Sequence, residues 1–201
     1  MRTATKLVSA WLGIVAGIAG LEHGYFEMLQ GNTRPAGLAF PSWGPPCVPE
    51  EIWHACEPAM SILPNFLTTG ILTMLFSLAL IAWAGWFVPR RHGGLVQIGI
   101  SVALLLFGGG FFPPLIGLIG GAAGTQINRP LGRKPGALTR FAAKLWPWPL
   151  VLLVGWLLAQ FVIGYFFNDA LTSVMGWVLL FIVIFLPLSV YVGYAHDVAV
   201  G

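Results

Sequence analysis

The sequence predicts an all-α integral membrane protein, and its composition supports this fold class in three ways. Hydrophobic residues make up 57% of the 201-residue chain, charged residues make up only 8%, and the mean hydropathy is +0.83. Soluble domains carry about 25% charged residues, so the composition excludes a soluble globular protein, a disordered tail and a nucleic-acid-binding protein. The ten basic and seven acidic residues are therefore interpreted first as topology signals.

A membrane-spanning helix needs about 20 mostly apolar residues. Four segments meet this requirement without interruption: residues 7–30, 64–88, 146–167 and 170–194. A further apolar segment, residues 95–124, is broken by three glycines, two phenylalanines and two prolines at positions 108–114. We predict one polytopic membrane domain over residues 1–201, with four transmembrane helices and one re-entrant or Gly/Pro-broken helical segment. The alternative is a five-span bundle in which the prolines kink one long helix.

The basic residues favour the re-entrant form of the broken segment. If the N-terminus is cytoplasmic and residues 95–124 cross the membrane, four basic residues lie inside and six outside, which contradicts the positive-inside rule. If the segment enters and returns, nine lie inside and only Arg34 lies outside. We therefore predict a multi-pass protein of the cell membrane with a cytoplasmic N-terminus. The loop over residues 31–63 is then extracytoplasmic.

The first predicted helix combines a glycine-rich face with ionisable side chains. At about 100° per residue, one face suited to close helix packing collects Gly13, Gly17, Gly20 and Gly24. His23 and Glu27 are spaced i, i+4 beside this face, whereas Glu22 lies almost opposite. Ionisable residues inside a membrane are functional candidates, so these three are predicted to bind a proton, a metal or a ligand. The alternative is that the acids reach water and His23 donates to a backbone carbonyl.

The predicted external loop is also acidic. Five of the seven acids and two of the four histidines lie between Glu22 and Glu57. Pro49 and the two acids after it suit the first turn of a short helix over residues 49–56. On that helix Glu50, His54 and Glu57 share one side, so they are predicted to join the ion- or ligand-binding site.

Glu51 and His54 have the Glu-x-x-His spacing found in carboxylate metal centres of helical bundles. Together with Glu27 and His23 they are candidate ligands for a divalent metal. The alternative is that Glu51 stabilises the start of the short helix and that His54 pairs with a neighbouring acid.

Cys47 and Cys56 are the only cysteines, and both lie in the predicted external loop. Extracytoplasmic compartments are oxidising, so we predict a disulfide between them. A redox-active pair is the alternative, but such pairs usually have Cys-x-x-Cys spacing, and these cysteines are nine positions apart.

Polar residues recur along the other apolar segments. They are Asn65, Thr69, Thr73, Ser77, Gln97, Ser101 and Gln160. Their spacing of four residues in two of these segments predicts either interhelical hydrogen bonds or a polar path that leads away from the acidic loop. Asp197 is predicted to cap the last helix.

These features support three hypotheses about function. The first is a small cation- or proton-coupled transporter or channel-like protein with an acidic outer mouth. The second is a membrane enzyme with a carboxylate and histidine metal or acid–base centre. The third is a non-catalytic accessory subunit that associates with other membrane proteins, or with itself, through its glycine-rich faces. In each case the lipid bilayer is the expected surrounding partner, and no nucleic acid is expected.

Overall fold

The structure, a computed structural model, describes residues 2–41, 57–130 and 135–200. In chain order its elements are α1 (Thr3–Leu29), β1 (Ala39–Pro41), β2 (Pro58–Met60), α2 (Phe66–Ala82, continued by a π-helical turn over Trp83–Phe87), α3 (Gly93–Leu106), α4 (Phe112–Gly124), α5 (Ala137–Ala143), α6 (Trp148–Phe166), α7 (Asn168–Ser173) and α8 (Met175–Val200). Within these residues four helices are long and apolar enough to cross a membrane: α1, α2 with its π-helical turn, α6 and α8. The predicted all-α membrane bundle is confirmed.

Helix α1 is the central element of the bundle. Of its most apolar stretch 56% is buried, compared with 22% for α8, which leaves most of α8 for contact with lipid. The glycine-rich face of α1 packs on α2, where Gly17 lies against Ile81 and Gly24 lies against Gly70. A Cβ atom at Gly24 would lie 2.9 Å from the Gly70 carbonyl oxygen. The predicted glycine face is therefore covered inside the chain, and the two backbones approach closely because neither carries a side chain there.

The broken segment forms a helical hairpin. The chain reverses after α3, and α4 runs back antiparallel to it, with Gly94 against Gly121 and Gly117 against Ser101. Both prolines of the break lie in the first turn of α4, where a missing N–H leaves no hydrogen bond unmade. They therefore begin a helix rather than kink one, and residues 93 and 125 lie at the same end of the bundle.

The N-terminus of α1 is held by an acid from the other end of the chain. Asp197 Oδ1 accepts from the Ala4 amide at 2.9 Å, and Asp197 Oδ2 accepts from the Thr5 amide at 2.8 Å and from the Thr5 hydroxyl at 2.7 Å. Helix α8 continues past this residue to Val200. The expectation that Asp197 caps its own helix was therefore wrong, because the orphan amides that need an acceptor belong to α1.

The bundle has two ends of different charge. The Asp197 end contains the start of α1, both ends of the α3–α4 hairpin and α5, which hydrogen bonds tie together. The basic residues described at this end are Arg2, Lys6, Arg90, Arg91, Arg129, Arg140 and Lys144. The opposite end, named here the Glu27 end, contains the end of α1, the β1–β2 pair and the turn of the hairpin. Among the described residues its only arginine or lysine is Arg34.

Removing the Asp197 carboxylate should destabilise the whole bundle, because it leaves two buried amides and a hydroxyl without an acceptor. We expect Asp197→Ala to lower the free energy of unfolding by about 1–3 kcal/mol, seen as a lower thermal unfolding temperature in detergent. Asp169→Ala removes an exposed acid and should change it by less than about 0.5 kcal/mol. Equal effects of the two substitutions would contradict the capping role.

Candidate functional site

The predicted site residues of α1 lie at the Glu27 end, beneath the turn of the hairpin. His23 is 3% exposed and Glu27 is 0% exposed, whereas Glu22 is half-buried on another face of the helix. The sequence-based prediction that His23 and Glu27 face the bundle therefore agrees with their burial. Glu57, the residue before β2, is brought to the same place.

His23 pairs with Glu57 across 34 positions of sequence. The Nε2 atom of His23 lies 3.1 Å from Oε2 of Glu57, so the ring donates to the carboxylate. In a neutral ring this leaves Nδ1 as an acceptor, and that atom is buried with no hydrogen-bond partner among the described residues. The pair can therefore accept one more proton or one more hydrogen-bond donor.

Glu27 is enclosed without a hydrogen bond. Both of its carboxyl oxygens are buried, and neither has a partner in the part of the chain that the structure describes. Thr69 of α2 lies close to this carboxyl group, but its hydroxyl donates to the Phe66 carbonyl oxygen at 3.1 Å, so we treat Glu27 as unpaired. An ionised carboxylate is costly in such surroundings, and a bound proton or cation removes that cost.

The turn of the hairpin, residues 107–111, forms the cover over both α1 residues. Gly108 and Gly110 have φ angles of +100° and +73°, which side chains other than glycine adopt with difficulty. Space imposes the same requirement. A Cβ atom at Gly108 would collide with the carboxyl oxygens of Glu27, and one at Gly110 would lie 2.6 Å from His23 Nε2. The glycines therefore serve to bring backbone directly onto the two ionisable groups.

A row of buried polar side chains continues from Glu27 toward the Asp197 end. This buried polar row consists of Thr69, Thr73, Ser77, Ser101, Gln97 and Ser9, each 0% exposed. At its far end the Gln97 amide donates to the Ser9 carbonyl oxygen at 3.2 Å and lies 3.4 Å from the Gly117 carbonyl oxygen. From Glu27 to Ser9 the row covers 18 residues of α1, or about 27 Å at 1.5 Å per residue.

A cavity opens beside the site, between α1, α4, α6 and α8. Its volume is about 60 Å³, measured as the space open to the centres of water molecules. Glu22, His23 and Glu57 line its polar part, and Gln160 of α6 lines it among apolar side chains. The helical spacing predicted Glu22 on a face of α1 almost opposite His23 and Glu27, and Gln160 was predicted to form an interhelical hydrogen bond or part of a polar path. In the structure the side chains of Glu22 and Gln160 line the same cavity.

The remaining predicted site residues fall outside the described residues. They are Cys47, Glu50, Glu51, His54 and Cys56. The short helix over residues 49–56, the disulfide and the metal ligands from the loop therefore stay predictions. The described residues contain no group of three or more His, Cys, Asp or Glu side chains that could hold a metal ion.

No protein-family model, curated protein or solved structure matches the chain. Its class therefore follows from the fold alone: it is a polytopic membrane protein built from apolar helices. Any statement about activity depends on the buried ionisable groups and the cavity beside them.

The fit between the hairpin turn and Glu27 can be tested with glycine substitutions. Gly108→Ala should lower the free energy of unfolding by at least about 2 kcal/mol, because it combines a positive φ with a collision. Gly99→Ala, in an exposed position of α3 with nothing within 4 Å, should be neutral or stabilising by up to about 1 kcal/mol. Thermal unfolding in detergent measures both.

A double substitution separates the collision from the backbone strain. Adding Glu27→Ala to Gly108→Ala frees the space that the methyl group needs, so the two effects should be less than additive. Additive losses would mean that the turn does not rest on Glu27.

Proposed function

We propose that the protein is a small proton- or cation-coupled transporter whose entry site is formed by Glu27, His23 and Glu57. The observation that carries this proposal is the complete burial of Glu27 without a hydrogen-bond partner among the described residues. Structural acids inside proteins are usually paired. An unpaired one in a membrane-spanning helix is typical of residues that bind and release a proton or an ion.

The buried polar row supports a path away from this entry site. Hydroxyl and amide groups can both donate and accept, and those of the row are buried between α1, α2 and the hairpin, where the hydroxyls of Thr69, Thr73 and Ser101 donate to backbone carbonyl oxygens. The row extends over about 27 Å, close to the thickness of the hydrocarbon core, which is about 30 Å. Gln97 donates to two backbone carbonyl oxygens, as a residue that only holds helices together also does. The proposed proton or cation binding therefore depends on Glu27 and not on this row.

The charge of the two ends supports an orientation. With the basic Asp197 end in the cytoplasm and the Glu27 end outside, the described loops satisfy the positive-inside rule. The α3–α4 hairpin then enters the membrane from the cytoplasm and returns. Irregular backbone at membrane depth is tolerated where it is buried in protein or lines a polar cavity, and broken helices of this kind form ion and substrate sites in transporters.

The proposed transport depends on the Glu27 carboxyl group. In proteoliposomes with an imposed membrane potential and an internal pH-sensitive dye, we expect proton flux well above that of empty liposomes. Glu27→Gln should reduce the proton flux at least about tenfold, because a side-chain amide does not bind and release a proton near neutral pH. Asp169→Asn makes the same change at an exposed position and should leave the flux unaltered. Parallel measurements with sodium and potassium identify a transported cation. No flux of any of the three, or equal flux in Glu27→Gln, would refute the proposal.

The proposed orientation can be tested by labelling introduced cysteines in intact cells with a membrane-impermeant maleimide. Ala36→Cys, near Arg34, should be labelled from outside, and Ala137→Cys, at the start of α5, should be labelled only after permeabilisation. The unsubstituted chain gives the background from Cys47 and Cys56. Labelling of Ala137→Cys from outside, with Ala36→Cys labelled only after permeabilisation, would mean that the orientation is the opposite of the proposed one, while the hairpin still enters and leaves on one side. Labelling of both positions from outside would mean that residues 95–124 cross the membrane completely.

A further inference from the structure

We infer that the cavity between α1, α4, α6 and α8 is a binding site for a lipid-soluble organic ammonium ion. This inference deepens the proposed function and rests on it for its physiological meaning, because it names the class of substrate that the entry site takes. The binding itself is a separate property and can be measured without transport.

The charge at the polar part of the cavity selects for a cation. Two carboxyl groups, those of Glu22 and Glu57, line it, and the described residues around it include neither lysine nor arginine. His23, the other ionisable residue there, is already engaged with Glu57. A cavity with this lining opposes an anion by Coulomb repulsion and attracts an ammonium group.

Two unsatisfied polar groups indicate that the cavity is built to hold a polar ligand group. The Nε2 atom of Gln160 and the Nδ1 atom of His23 are both buried and have no hydrogen-bond partner among the residues that the structure describes, and the two residues are only 5% and 3% exposed. Buried polar atoms normally have partners. Both residues line the same space, where a ligand N–H can donate to His23 Nδ1, whereas the Gln160 amide nitrogen is a donor and needs an acceptor atom elsewhere on the ligand. Nδ1 in a neutral ring would accept from an ammonium N–H.

The rest of the lining suits an apolar body. Val15, Ile116 and Ile182 line the cavity away from the acids, as expected of small-molecule sites that combine an apolar wall with a few polar groups. Two aromatic rings, those of Phe112 and Phe161, also line it, and ring faces attract organic cations. The cavity has about 60 Å³ open to the centres of water molecules, several times the 10–15 Å³ or so that a single water requires.

Equilibrium dialysis of the full chain in lipid nanodiscs tests this inference with two probes of similar shape and opposite charge. Benzylammonium, which carries N–H donors for His23 Nδ1, should bind saturably above the level of empty nanodiscs, and benzylsulfonate should not. The double variant Glu22→Gln/Glu57→Gln should weaken binding of the cation at least tenfold, because both carboxylates at the polar part are neutralised. Asp169→Asn removes an exposed acid that does not line the cavity and should bind as the unsubstituted chain does.

A second variant tests the same site in case the Glu22→Gln/Glu57→Gln variant does not fold. Ile182→Trp fills the apolar part and leaves the acids in place, so it should also weaken binding at least tenfold while thermal unfolding remains cooperative. Equal binding of both probes, or unchanged binding in whichever of the two variants folds, would overturn the inference. Binding without any flux in proteoliposomes would refute transport and keep the site. Flux without binding of the ammonium probe would refute the site and keep transport.

Discussion

The structure depends on how the backbone of the α3–α4 hairpin is satisfied where the chain reverses. In a membrane an unpaired carbonyl or amide costs several kcal/mol, so a turn between two apolar helices needs partners. The Gly109 amide donates to the Leu104 carbonyl oxygen at 2.8 Å, the Ile62 amide donates to the Leu106 carbonyl oxygen at 3.0 Å, and the Thr73 hydroxyl donates to the Phe107 carbonyl oxygen. The partners come from the hairpin itself, from the segment after β2 and from α2, and together they fix the turn over α1.

This position of the turn explains why the turn itself gives Glu27 no hydrogen bond. Glycine gives the turn its positive φ angles and lets its backbone touch the carboxyl group, but the turn's hydrogen-bonding groups are directed toward α2, α3 and the segment after β2. Close packing on the opposite side comes from the glycine face of α1, which brings α2 near enough to bury Thr69 beside Glu27. The described part of the fold therefore encloses the Glu27 carboxyl group between two tightly packed surfaces, and neither surface donates a hydrogen bond to it.

Much of this arrangement could be predicted from sequence, because apolar length, glycine spacing and the positions of basic residues follow from the bilayer alone. Those signals gave the four long helices, the break at residues 108–114 and the inward face of His23 and Glu27. Contacts between residues far apart in the sequence leave no comparable pattern in it. Asp197 was assigned to its own helix because a local cap is the only one visible in a sequence, and the surroundings of Gln160 could not be predicted because the other residues that line its cavity come from three other helices.

His23 links the two halves of the site. Its ring lies beneath Gly110 of the turn that encloses Glu27, and its Nε2 atom bonds Glu57 at the cavity. Glu27 follows it by one helical turn. The Glu27 carboxyl group and the cavity therefore lie on two sides of the same His23–Glu57 pair. The turn is held in place by the hydrogen bonds that the Leu106 and Phe107 carbonyl oxygens accept. His23 therefore touches both the turn over Glu27 and the carboxylate at the cavity, so in the proposed transporter it is the side chain through which the two positions would interact.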